Sequence, residues 1–146
     1  MITLALFRKM SEDGVAGLRP NRDFFWEEAP LQQNGKPAHG VWIVTRGGGI
    51  GRSPRKYNLN TTVDFYVAFA KKPKIESVHS AILNWLVENR CICEMNGKLV
   101  DGEDVYEWDF SNIRIRPVST PQNDGITENG LLVKVASAEV IYDDVK

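Results

Sequence analysis

The sequence predicts an α+β fold: an antiparallel or mixed β-sheet with two helices packed on one face. Three patterns point to it. One stretch repeats its apolar residues at helical spacing, several others alternate with a period of two, and most strands follow one another without a helix between them. Consecutive strands of that kind pair with their neighbours, and amphipathic helices then cover one side of the sheet. A chain of 146 residues is an ordinary size for a single domain, here 1–146, and buries a core without help from a metal or disulfide.

Residues 2–10 place Ile2, Ala5, Leu6 and Met10 near one helical face, with Arg8 and Lys9 elsewhere, so a short first helix is expected. Ser11, Asp13 and Gly14 end it, and 15–22 reads as connection. Phe24, Phe25 and Trp26 have strand composition, closed by Ala29-Pro30. Residues 32–37 carry the chemistry of an exposed loop. A second strand is expected over 41–46, and the clearest strand over 61–70. In the latter Val63, Phe65, Val67 and Phe69 face one way, and Thr62, Asp64 and Tyr66 the other. These two strands form a hairpin whose tip is the Gly- and Arg-containing run 47–58.

Pro73 introduces the best helix, about 74–89, with Ile75, Val78, Ile82 and Leu86 on one side and Glu76, Ser80 and Asn84 on the other. Cys91, Ile92 and Cys93 suggest a short strand, Asn96-Gly97 a turn, and 101–104 an acidic loop. Over 112–118 Ile113 and Ile115 alternate with Arg114 and Arg116. The last strand, 131–142, changes its inward face near Ser137, which a β-bulge there would explain.

Composition excludes several functional classes. Apolar residues make up 42% and charged residues 25%, which argues against wholesale disorder, and a formal net charge of -1 argues against a free-standing nucleic-acid binder. No stretch approaches the ~20 apolar residues that span a bilayer. The first ten residues lack the cationic start and cleavage site of a secretory signal. Cys91 and Cys93 do not make a disulfide framework; two buried, reduced thiols in a cytoplasm are the simpler reading.

Candidate chemistry fails on partners or spacing. The run 46–56, RGGGIGRSPRK, leads into a strand and lacks the Gly-Lys-Ser/Thr that would place a phosphate at a helix N-terminus. Cys91 and Cys93 are too close for a zinc pair, and His39 and His79 pair with nothing in sequence. Cys91 or Ser80 with His79 lacks an orienting third group. The doublets Glu27-Glu28 and Asp143-Asp144 read as surface charge. No catalytic residue, metal or cofactor is expected, and the reading is non-enzymatic. Trp85 belongs to the core, whereas Trp26 and Trp108 are either core or contact residues.

Charge patterning is more informative. Arg46, Arg52, Arg55 and Lys56 form a basic cluster, and no acid occurs between Glu28 and Asp64. Between Glu94 and Asp109 six carboxylates, Asp101, Glu103 and Asp104 among them, oppose the single Lys98. The two segments are solvated loops, or they pair between neighbouring copies, basic to acidic, which would fix register and partner choice. Arg46, Arg52, Arg55, Lys56, Asp101, Glu103 and Asp104 are therefore the candidate interface residues.

Taken in order, the elements resemble the tail terminators of long-tailed bacteriophages, the lambda-type ring that closes a tail tube. The resemblance runs through the short first helix, the segment 24–30 (FFWEEAP), the strand 41–44 (VWIV), the Gly/basic hairpin, the strand 63–68 (VDFYVA), the helix 75–87 and the last strand. The chain departs in a long insertion between Asn96 and Phe110 and in an abbreviated first helix. The resemblance implies a hexameric ring of identical subunits in the virion tail, assembled in the host cytoplasm. Such a ring docks on the last layer of tail tube protein, stops polymerisation and offers a surface to the head-tail connector. It also implies that the basic hairpin is an inter-subunit, tube-facing or lumen-facing element. Genomic DNA would pass the lumen without sequence readout. The alternatives are another head-tail joining or neck protein of the same module and, from a different class, a small nucleic-acid-binding domain using 46–56.

Overall fold

A computed structural model describes residues 1–27, 39–46, 56–118, 124–126 and 132–145. Helix α1 (Ile2–Glu12) is followed by a single 3-10 turn (Val15–Gly17). Next come strands β1 (Phe24–Trp26), β2 (Gly40–Thr45) and β3 (Leu59–Phe69), then helix α2 (Lys72–Glu88). Four strands complete the chain: β4 (Cys91–Asp101), β5 (Asp104–Val118), β6 (Asp124–Ile126) and β7 (Leu132–Asp144). All seven strands join one sheet in the order β1-β2-β3-β7-β5-β4, with β6 pairing β7 beyond the end of β5. The expected α+β architecture is present. The sheet is mixed, because β1 and β2 run parallel while the other pairs are antiparallel.

The core lies between the sheet and the helices. Val63, Phe65, Val67 and Phe69 of β3 face it together with Ala136, Ala138 and Val140 of β7, and Ile75, Val78, Ile82, Trp85 and Leu86 of α2 close over them. The α2 stripe is the one its spacing predicts, and Pro73 occupies the first turn, where its missing donor costs nothing.

Helix α1 is less conventional. Ile2, Thr3, Leu4, Ala5 and Leu6 are all buried, so its first half is enclosed on every side. It contacts β1 and β2 at one margin of the sheet and β4 and β5 at the other. The sheet therefore curls around α1, and Trp26 of β1 meets Tyr106 of β5 edge-on at 5.6 Å. Thr3 locks the arrangement: Trp26 Nε1 donates to its hydroxyl at 2.8 Å, and that hydroxyl donates to Glu27 at 3.2 Å. From the other side Arg8 lies 5.9 Å from the centroid of the Trp108 ring and donates to the Lys98 carbonyl at 3.1 Å.

Several expectations are corrected. Asn96-Gly97 is not a turn; both lie inside β4, facing Asp109 and Trp108 of β5. The short strand at Cys91 continues to Asp101, and the expected acidic loop is the two-residue end of one long hairpin, with Gly102 at φ +62. No register shift occurs at Ser137, where β3 and β7 pair without a break from Leu59↔Tyr142 to Phe69↔Leu132. The bulge is in β5 instead, between Ser111 and Arg114, with Asn112 at φ +51. It moves the buried set from Trp108 and Phe110 to Ile113 and Ile115. Cys91 and Cys93 are exposed, not buried, because β4 is the outermost strand and their side is open to solvent. The expected loop 32–37 and most of the hairpin tip 47–58 lie outside the described residues, as do Arg52 and Arg55.

Candidate functional site

Among the sequence-predicted site residues, Arg46 is brought to a defined place. It follows β2, and its backbone donates to Thr62 of β3. Its guanidinium grips Asp64 with two bonds, Nε to Oδ2 at 3.2 Å and Nη2 to Oδ1 at 2.9 Å, and also reaches the Ser137 hydroxyl at 3.0 Å. Ser137 in turn donates to Asp64. Asp64 sits on the face of the sheet away from the helices, as its alternation predicts, yet its side chain is only 8% exposed. The Asp64 hydrogen bond, with its charge, holds the Arg46 guanidinium pKa above the usual arginine value. The expectation that this cluster lacks a counter-charge therefore fails at Arg46.

A serine donating to a carboxylate has the outline of a nucleophile and its base. Here the guanidinium is bonded to the same carboxylate through both of its oxygens. The three side chains act instead as a clamp across β2, β3 and β7. Beside it Trp42 and Tyr66 stack at 5.6 Å with their planes 11° apart, cross-strand partners on the same outer face.

Lys56 is exposed, and its carbonyl accepts from the Asp144 backbone at 2.7 Å, which fastens the end of the basic run to the end of β7. Asp143 next to it is a further correction, since it is buried and not surface charge. Asn112 donates to one of its oxygens at 2.8 Å and the Asn58 backbone to the other at 2.9 Å. Those bonds, with the Arg114 charge, hold its carboxyl below the ordinary value. Asn112 and Asn58 both have positive φ, so this carboxylate braces the two irregular points at that end of the sheet.

The acidic candidates Asp101, Glu103 and Asp104 stand together and exposed at the β4–β5 tip. Immediately behind them Val100 and Val105 form a cross-strand pair, exposed by 60% and 54%. The next pair on the same face, Lys98 and Glu107, carries its own ion pair at 3.7 Å. Asp101, Glu103 and Asp104 have no ion-pair partner among the described residues. The valine pair escaped the sequence reading, although an Asp-Gly turn at 101–102 would have placed it.

Lys56 and the acidic candidates are not brought together within one chain. Asp144, bonded to Lys56, pairs with Phe110 of β5, six residues from Asp104. At 3.3–3.4 Å per residue that separation is about 20 Å, more than twice the ~8 Å screening length at physiological salt.

The histidine candidates do not assemble a nucleophile. His79 Nε2 lies 3.3 Å from the Val135 carbonyl of β7, while Ser80 and Cys91 are exposed. No group of three or more His, Cys, Asp or Glu among the described residues is placed to hold a metal ion, and no helix among them is long and apolar enough to cross a membrane. Trp85 is in the core, bonded through Nε1 to Asp13 at 2.9 Å, and Trp108 is core beneath Arg8. Compared with models of protein families, with curated proteins and with solved structures, the chain matches none.

Proposed function

We propose that this chain is a non-enzymatic structural subunit of the tail-terminator kind, which assembles into a hexameric ring on the last layer of a phage tail tube, stops its growth and offers a face for head joining. The observation that carries the proposal is the β4–β5 hairpin. Its inner side, Met95, Trp108 and Phe110, is buried against the curled sheet and α1, while its tip presents to solvent an apolar pair with three acids beyond it at the turn. A surface of that composition suits a contact with another protein: a small desolvated centre supplies affinity and the charges choose the partner. The order and composition of the elements, which resemble tail terminators over nearly the whole chain, supply the rest of the reading. Partners on this reading are the chain itself, the tail tube protein and the head-tail connector, with genomic DNA crossing the lumen unread, in the virion tail.

The test is to add the purified protein to growing tail tubes and measure their lengths by electron microscopy. Arrest of growth with a ring at the tube end is the expected result. Tubes that lengthen unchanged at saturating protein would overturn the proposal.

A further inference from the structure

Strand β4 is the margin of the sheet, pairing with β5 alone, and it runs for 11 residues. A long strand with one free side is a template for another chain, and β4 carries one lysine and no proline to blunt it. The turn decides which backbone groups are free. Asp101 and Asp104 close a two-residue loop, so they exchange both hydrogen bonds, and the bonding alternates from there. Glu94, Asn96, Lys98 and Val100 therefore aim their N–H and C=O groups away from β5. The Lys98 carbonyl does so visibly, since Arg8 of α1 donates to it at 3.1 Å from the open side.

Charge is ordered along this edge. The turn holds Asp101, Glu103 and Asp104, all exposed, and the far end holds the exposed Arg90 and Arg114, the latter across from Cys91. Between them Lys98 and Glu94 stand two residues either side of Asn96, both exposed. From the turn the order is acid, lysine, asparagine, glutamate, arginine, and that order is complementary to its own reverse. An antiparallel copy centred on Asn96 sets Glu94 across from Lys98 and Lys98 across from Glu94. It also brings each acidic turn to the Arg90 and Arg114 end of the other copy. Lys98 already pairs with Glu107 of its own strand partner, and at 58% exposure it has room for a second carboxylate.

We infer that β4 pairs with β4 of a second copy, antiparallel about a two-fold axis at Asn96, so that the sheet continues from one chain into the next. The same patch meets itself, so the contact is isologous and closes at two copies. Closure uses up an edge that would otherwise recruit strands without limit. Arg8 gives up the Lys98 carbonyl in the pair, and its half-exposed side chain turns to water beside Glu12. The contact neither needs the ring proposed above nor builds it.

The experiment measures the mass of the full chain by analytical ultracentrifugation at low and high salt. Wild type should form dimers and no larger species through this edge, less so as salt rises. Glu94→Lys and Lys98→Glu each set like charges opposite one another, and each alone should pair at least about tenfold more weakly. Mixed, the two variants are complementary at every position, so a heterodimer of wild-type strength should return, which also demonstrates that both are folded. The register is read separately by disulfide cross-linking in a Cys91→Ser/Cys93→Ser background. Diamide takes up the two electrons and two protons that a pair of thiols releases. Asn96→Cys should cross-link, because the two-fold axis puts its Cα atoms about 5.5 Å apart. Val100→Cys should not, because its own copy lies about 26 Å away. Wild type that stays monomeric up to roughly 1 mM, a mixture no tighter than either variant alone, or cross-linking at Val100 in place of Asn96 would each overturn the contact. Tube arrest by a wild type that never pairs keeps the terminator reading and removes this contact. Pairing without tube arrest does the opposite.

Discussion

Replacing Gly97 by alanine tests the hairpin geometry on which the functional reading depends. Gly97 faces Trp108 across β4 and β5, and a Cβ built on it would lie 2.5 Å from Trp108 Cζ2 and 2.8 Å from Cε2. Real side chains do not approach so closely, so either the indole or the strand must shift. The indole has little freedom: it is 4% exposed and lies under the Arg8 guanidinium. Overpacking of this kind costs about 1–3 kcal/mol, and the better strand propensity of alanine returns about 0.5–1 kcal/mol. A net loss of about 1–2 kcal/mol is expected, near 3–6 °C in Tm for a chain of this length. The atoms in conflict belong to the part of the indole that phenylalanine lacks. In a Trp108→Phe background Gly97→Ala should therefore be close to neutral, and a double-mutant cycle by urea denaturation should return most of the loss as coupling. Equal cost in both backgrounds would refute the close approach. A loss well above 3 kcal/mol in both would point to a positive-φ turn at Gly97, as the sequence alone suggested.

The clamp on the outer face should be asymmetric. Arg46→Gln leaves a nearly buried carboxylate without its counter-charge and should cost about 2–3 kcal/mol near pH 7, whereas Asp64→Asn frees a 40% exposed guanidinium to turn to water and should cost about 1 kcal/mol. Urea midpoints of the two variants against wild type at pH 7 read both effects, and equal costs would remove the asymmetry. Asp143 sets an acid limit of a different kind. Its folded pKa lies below the ordinary 3.8, so its stabilisation is complete above that value and is lost as pH falls through the lowered one. Melting curves below pH 4 should therefore fall more steeply for wild type than for Asp143→Asn, and parallel curves would remove Asp143 from the account.

Much of the fold was legible because burial imposes simple periods. The alternation of 61–70 and the helical stripe of 75–86 are both present, and Ile113 and Ile115 point inward as their spacing requires. Legibility failed where two local signals competed. Asn96-Gly97 and Asp101-Gly102 are both turn dipeptides five residues apart, and only the long-range fit of Trp108 over Gly97 decides that the chain reverses at the second. The inward face of β7 was misread because both sides of that strand carry small or apolar residues. Ala136 and Ala138 face the helices, while Val133, Val135 and Ile141 face the other way around Ser137. Burial of Asp64 and Asp143 was invisible for another reason: their partners Ser137 and Asn112 are distant in sequence, at separations of 73 and 31. Asp101, Glu103 and Asp104 do share the hairpin end, but the valine pair behind them emerges only once the hairpin is drawn.

The central claim is that this chain works by assembling on a tail tube. The most direct measurement is tube length after the protein is added to polymerising tail tubes, with the tube ends imaged. The account expects growth to stop and a ring of this chain, with a central hole, to cap each arrested tube. Tubes that continue to lengthen, with the protein remaining monomeric beside them, would contradict it.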